Sequence, residues 1–186
     1  VGKNMTNNPM VCFRDRIAAN QAANAQGLNV RDDLKNYSVP ELKLHQALHS
    51  RPFEVAFLNV EGDLNVSVMI RSASLMGAAR AHVIGRRKYD QRGTVGAQNY
   101  MPVSRVDALD ESRTSFNIDR IFEFFQTNNL SPIFIEQGGE ILGSDHTVEK
   151  IRHTVRNKMA YPFSTPVIVM GNEASGIPDQ LLTYCK

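Results

Sequence analysis

The sequence predicts an α/β fold, a mostly parallel sheet covered by helices on both faces, because strand-like apolar runs alternate with helix-periodic stretches. Three observations carry this. Residues 53–60 are a short run of β-branched and aromatic residues of the kind a buried strand uses. Residues 65–79 are apolar or small on nearly every side, which suits a helix covered on more than one face, and residues 81–85 resume as a strand. Two further strand signals, at 132–136 and 166–170, are separated by another helical stretch. Ligands of such sheets collect beyond the carboxyl ends of the strands. The loops after Val60, Glu136 and Met170 are therefore expected to bring Asn65, the pair Gly138 and Gly139, and Gly171 with Glu173 to one crevice.

Taken in order, residues 1–50 are rich in Asn, Gln and Ala, with few large apolar side chains, and read as a helical N-terminal extension to the main unit, residues 51–186. Ser38-Val39-Pro40-Glu41 has the form of a capping box ahead of a helix through Leu48. The central helix at 65–79 carries one full charge, Arg71. Buried, its guanidinium needs a carboxylate or a ligand anion; otherwise it snorkels to the surface, and the helix pattern leaves both open. Arg86, Arg87, Lys88 and Arg92, with Tyr89 among them, form a basic loop after the second strand. It is either a solvated rim or a surface that holds nucleic-acid phosphates without reading sequence. A short strand is expected around 101–103. Ser115 or Asn117 caps a helix whose Ile118, Ile121, Phe122 and Phe125 make a core stripe. Gln137, Gly138 and Gly139 turn the chain after the fourth strand, permitting close approach of a ligand or only a turn. A further helix carries Val148, Ile151, Val155 and Met159 on one side. After the last strand, the loop from Gly171 leads into a short helix with Pro178 in its first turn.

Composition narrows the function. At 186 residues the chain holds one well-buried domain plus an extension. A formal net charge of +2 places any nucleic-acid surface in local clusters such as the basic loop. Cys12 and Cys185 stand alone near opposite ends, which argues against a disulfide scaffold or a structural metal and fits a reducing cytosol. No apolar run approaches the roughly eighteen residues of a membrane span, so a soluble, cytoplasmic protein with no membrane partner is expected. Glycine-rich dinucleotide and P-loop signatures are missing, as is a Gly-x-Ser-x-Gly elbow.

Two stretches together carry a family resemblance. Asn65-Val66-Ser67-Val68-Met69-Ile70-Arg71-Ser72-Ala73, followed by Gly77 and a strand to Gly85, resembles the first motif of the SpoU branch of the SPOUT RNA methyltransferases. Val167-Ile168-Val169-Met170-Gly171-Asn172-Glu173-Ala174-Ser175-Gly176-Ile177 is similar to their second motif. The resemblance covers roughly residues 53 to 183 and implies a trefoil-knotted α/β fold, S-adenosylmethionine bound at the knot, and methyl transfer to a ribose 2′-hydroxyl of tRNA or rRNA. By motif position it implies that Arg71 helps to deprotonate that hydroxyl, and that Asn65 and Glu173 hold Arg71 and the loops in place. It further implies that Gly171 and Ile177, with Glu136, Gln137 and Gly138, line the cofactor pocket. Ser67 stands where the family more often has glycine. The family's third motif, a Ser-Leu-Asn-Val-Ser-like stretch, is expected after the second, and the chain ends at Lys186.

The leading expectation is thus a 2′-O-ribose RNA methyltransferase, with Arg71 as a positioning and electrostatic group because a guanidinium is a weak base. The rival, resting on the missing third motif, is a catalytically silent RNA-binding module on the same scaffold. A doubly wound enzyme acting on a small phosphorylated substrate would require both motif matches to be coincidental. A homodimer is expected, since the helices at 65–79 and 176–182 both need cover.

Overall fold

The computed structural model describes residues 30–59, 64–86, 88–137, 149, 153, 165–172 and 175–183. Within them a five-stranded, wholly parallel sheet is built from β1 (Arg51–Asn59), β2 (Ala78–Gly85), β3 (Val103–Val106), β4 (Leu130–Ile135) and β5 (Thr165–Met170), in the order β3-β2-β1-β5-β4. The chain starts in the middle, winds outward through β2 to β3, then crosses to the far edge for β4 and returns to place β5 beside β1. Strand order reverses between β1 and β5, the kind of point at which parallel sheets open a crevice. The last five residues of β1 and of β2 are buried without interruption, as strands covered on both faces must be.

Among the described residues four helices are bounded: α1 (Val39–His49), α2 (Leu64–Leu75), α3 (Ile118–Thr127) and α4 (Asp179–Leu182), the last three packed on the sheet. Side chains alternate along β1 with the period of two of an extended chain. Val55 and Phe57 pack under Val66, Ile70 and Ala73 of α2, while Ala56 and Leu58 pack on the other face with Ile121 and Phe125 of α3 and Leu181 of α4. The capping box forms as expected, the Ser38 amide and hydroxyl both donating to Glu41 Oε2 at 2.9 and 2.8 Å. Asn117 caps α3 by accepting from the Arg120 amide at 3.1 Å, and the Ile121 and Phe125 stripe is core.

Several expected boundaries move, each for a local reason. α2 stops at Leu75 because Gly77, at φ +80°, turns the chain, and β2 already begins at Ala78, paired with Arg51. β3 begins at Val103, with Met101 packed into the core just ahead of it. β4 ends at Ile135, which frees Glu136 from the ladder. Pro178 caps α4 and does not enter its first turn. The expectation that α2 is covered on more than one face is met by the sheet on one side and by the turns at Gln91–Thr94 and Ala97–Asn99 on another, where Ser67 is buried. Val66, Ile70 and Ala73 face the sheet, whereas Val68 (48% exposed), Arg71, Ser72 and Leu75 (72% exposed) recur at spacings of three and four and form an open face. Of the helix expected around Val148 to Met159 only Glu149 and His153 are described, both helical, and residues 1–29, 173–174 and 184–186 lie outside the described residues.

Polar groups inside the sheet satisfy one another. Glu54, His82 and Ser104 lie on three successive strands, with His82 Nε2 2.5 Å from Glu54 Oε2 and His82 Nδ1 2.5 Å from Ser104 Oγ. The edge of the Phe124 ring, 5.1 Å away, covers the imidazole. Among the described residues no helix is long and apolar enough to cross a membrane, and no cluster of His, Cys, Asp and Glu is suited to a metal ion.

Candidate active site

At the carboxyl edge of the sheet, the loops after β4 and β5 are fastened together. Glu136 Oε2 accepts the Ile177 amide at 2.7 Å across 41 positions of sequence, and Oε1 accepts the amide of Gln137 at 2.8 Å. The β5 loop closes on itself through two hydrogen bonds between Asn172 and Gly176, at 3.0 and 2.8 Å. Both glycines here are required by space. A β-carbon on Gly171 would stand 2.5 Å from the Gly176 carbonyl carbon, and one on Gly176, at φ +64°, would stand 2.7 Å from Glu136 Oε2. The Ile177 side chain is 4% exposed and belongs to the core under α4. Toward a ligand Ile177 can therefore offer its main chain, and of that the amide is already engaged. Gly138 and Glu173 lie outside the described residues.

Beside this pair, the basic loop is held from beneath by two residues that sequence reasoning did not single out for the task. Asn59, the last residue of β1 and 0% exposed, donates from Nδ2 to the carbonyls of Arg86 (2.8 Å) and Lys88 (3.2 Å), while its own carbonyl accepts the Arg86 amide at 2.6 Å. Those two carbonyls decide which way the amide points, leaving Oδ1 buried with no hydrogen-bond partner among the described residues. Ser67, buried on α2, donates its hydroxyl to the Asp90 carbonyl. Ser67 is thus the tie between α2 and the loop. The available signal was a polar residue closing an otherwise apolar strand, since a buried amide must find partners.

Arg86, Lys88 and Arg92 are exposed as expected; Arg87 lies outside the described residues. Arg92 is engaged by Asp90, which accepts its amide at 2.9 Å and its guanidinium at 2.5 Å. The hydrogen bonds from the Arg92 side chain, and then from its amide, hold the Asp90 carboxyl down at about 2. Arg105 lies over the Tyr89 ring at 5.2 Å.

Arg71 is exposed, the second of the two alternatives that the helix pattern left open. Among the described residues it has no carboxylate partner. At about 1.5 Å per residue it stands roughly 9 Å beyond Asn65 along α2. It lines a cavity of about 470 Å³ together with Ser74, Tyr100, Gly77 and Arg51, the last two beside the amino ends of β2 and β1. Burial pushes the Tyr100 phenol above its ordinary pKa, against the pull of the Ser74 hydroxyl and the Arg71 charge. Of the crevice expected from sequence, Gly138, Gly139 and Glu173 lie outside the described residues; Arg71 stands apart from the loops after β4 and β5 within one chain. Ile177 packs on the face covered by α3 and α4 at the carboxyl edge, whereas Arg71 stands on the opposite face toward the amino edge.

Comparison with known proteins places this geometry. No curated protein matches the chain. Among solved structures, a TrmH/SpoU tRNA modifying enzyme of A. aeolicus superposes with a TM-score of 0.51 at 15% identity, over 78% of this chain and 64% of that one. An AdoMet-bound rRNA methyltransferase from Sinorhizobium meliloti gives a TM-score of 0.46 at 19% identity, over 70% of this chain and 43% of that one. The SpoU methyltransferase AviRb from Streptomyces viridochromogenes, in complex with AdoMet, gives 0.47 at 18% identity, over 77% and 49%. The chain spans between 43% and 64% of the length of these three structures, and at such identities the likeness concerns the fold alone. Residues 52–186 match the model of the SpoU rRNA methylase family, and the chain belongs to that family.

Proposed function

We propose that the protein is an RNA methyltransferase that transfers a methyl group from S-adenosylmethionine to a ribose 2′-hydroxyl of tRNA or rRNA. The observation that carries this reading is family membership across residues 52–186, a span that includes both motifs. The loops after β4 and β5 support the reading by their place: fastened side by side by Glu136, they form a narrow turn at the carboxyl edge of the sheet, where parallel sheets take ligands. Gln137, Gly138, Gly171 and Ile177 would hold the cofactor there. When bound, S-adenosylmethionine would supply a sulfonium methyl to the ribose oxygen and leave as the neutral thioether, the hydroxyl proton passing to the adjacent RNA phosphate. Arg71 would orient the hydroxyl and its neighbouring phosphate and stabilise the charge that develops on oxygen, with Asn65 and Glu173 steadying α2 and the β5 loop. Arg86, Arg87 and Lys88 would grip the RNA backbone, with Arg92, of the same predicted set, held by Asp90 beside them.

A homodimer belongs to the same reading. The open face of α2, with Val68, Leu75 and the neighbouring Met76 exposed, offers apolar cover to a second copy. Incubation with methyl-labelled S-adenosylmethionine and bulk tRNA or rRNA, followed by digestion to nucleosides, tests the reading. Label in 2′-O-methylnucleosides is expected. No incorporation, together with no thermal shift at millimolar S-adenosylmethionine, would leave the silent RNA-binding module.

A further inference from the structure

We propose that Glu136 makes the loops after β4 and β5 select a cationic ligand, so that they hold S-adenosylmethionine, with its sulfonium charge, more tightly than the neutral thioether left after methyl transfer. The inference rests on the cofactor reading above and deepens it. The way the carboxylate is held is the first argument. Both of its oxygens accept from main-chain amides, Oε2 from Ile177 at 2.7 Å and Oε1 from Gln137 at 2.8 Å. Neutral amides orient a carboxylate without cancelling its charge, and among the described residues no Lys, Arg or His pairs with Glu136. Asp90 is the contrast, since Arg92 closes on it and cancels its charge within the basic loop.

Place and surroundings extend the argument. The carboxylate is turned into the closed β5 turn, partly buried, with Oε2 only 2.7 Å from where a Gly176 β-carbon would stand. Water screens a charge there less than at an open surface, so it acts on a ligand held by the two loops. The sequence of both loops has the same sign. Residues 136–146 hold Glu136, Glu140 and Asp145, and residues 171–179 hold Glu173 and Asp179, with no Lys or Arg in either stretch, although the whole chain carries a formal net charge of +2. The basic loop after β2, which suits a polyanion, is thus set apart from two loops whose sign suits a cation. Transfer of the methyl leaves the electron pair of the broken bond on sulfur, so the product carries one positive charge fewer and loses this attraction. Glu136 then favours exchange of the spent product for fresh cofactor.

Glu136→Gln is the test, because it removes the charge and keeps an oxygen that can accept the Ile177 amide. Two probes are read by calorimetry on wild type and variant, S-adenosylmethionine and S-adenosylhomocysteine, with thermal unfolding followed alongside. Wild type is expected to bind S-adenosylmethionine about tenfold more tightly than S-adenosylhomocysteine. In Glu136→Gln that ratio should fall toward one, through weaker binding of S-adenosylmethionine, with S-adenosylhomocysteine changed less than about threefold. Glu136→Asp, which keeps the charge on a shorter stem, should keep the preference while both affinities fall. An unchanged ratio in Glu136→Gln overturns the inference, since equal loss of both probes would make Glu136 a fastener of the loops alone. Wild type that binds both probes equally well overturns the inference and leaves the cofactor reading standing; wild type that binds neither overturns both.

Discussion

Asn59 and Asp90 show how single side chains prepare the basic loop. Replacing Asn59 by Asp keeps its shape but turns a donor toward the Arg86 and Lys88 carbonyls into a buried acceptor. The change should cost about 3 kcal/mol in urea denaturation and weaken RNA binding; a loss below about 1 kcal/mol would show that the loop does not depend on this amide. Asp90 makes a separate prediction in pH. Its folded pKa of about 2 lies below the ordinary carboxylate value of about 3.9, so its contribution is fully present above that ordinary value and is lost as pH falls through about 2. A carbon-detected titration should place the carboxyl midpoint near 2, and a midpoint near 4 would mean that the Arg92 pair is not kept in solution. At neutral pH Asp90 cancels Arg92, so the loop's net attraction for phosphate comes from its other cations. For Arg71, truncation to Ala should lower the methyl-transfer rate at least about tenfold, more than roughly 1.4 kcal/mol, with cofactor affinity nearly unchanged. A mutant with near-normal kcat would remove Arg71 from the reacting centre.

The loops and helices add constraints that no one side chain carries. The β5 loop is a closed turn whose two glycines leave no room for a β-carbon, and Glu136 fastens it to the end of β4. Gly171→Ala places its methyl against backbone, which cannot rotate away as a side chain would. It should lower the melting temperature and abolish S-adenosylmethionine binding, at a cost of about 2 kcal/mol or more. An unshifted transition with normal binding would show that the turn opens freely. α2 has two faces of different kinds. The Val66, Ile70 and Ala73 face is set by the sheet, while the Val68, Arg71 and Leu75 face was not separable from it in sequence, because apolar and small residues occupy both. By contrast, α3 was fully legible, since its apolar residues fall on one stripe and charged residues occupy the rest.

For the whole molecule, sedimentation at micromolar concentration is expected to give twice the mass of one chain. A monomer would leave the exposed Val68, Leu75 and Met76 without a partner. Sequence by itself determined the alternation of strands and helices, the capping box at Ser38, the core stripe of α3 and both family motifs. Each is written in periodicity or in a short run of neighbours, so local physics suffices to read it. Only the tertiary structure decided that Glu136 holds Ile177, that Asn59 and Ser67 hold the basic loop, and that Arg71 faces solvent beside Arg51 and Tyr100. Those outcomes depend on β5 being inserted between β1 and β4 and on which face of the sheet each helix takes. Both are settled by burying apolar surface between segments remote in sequence, a balance that no local pattern records.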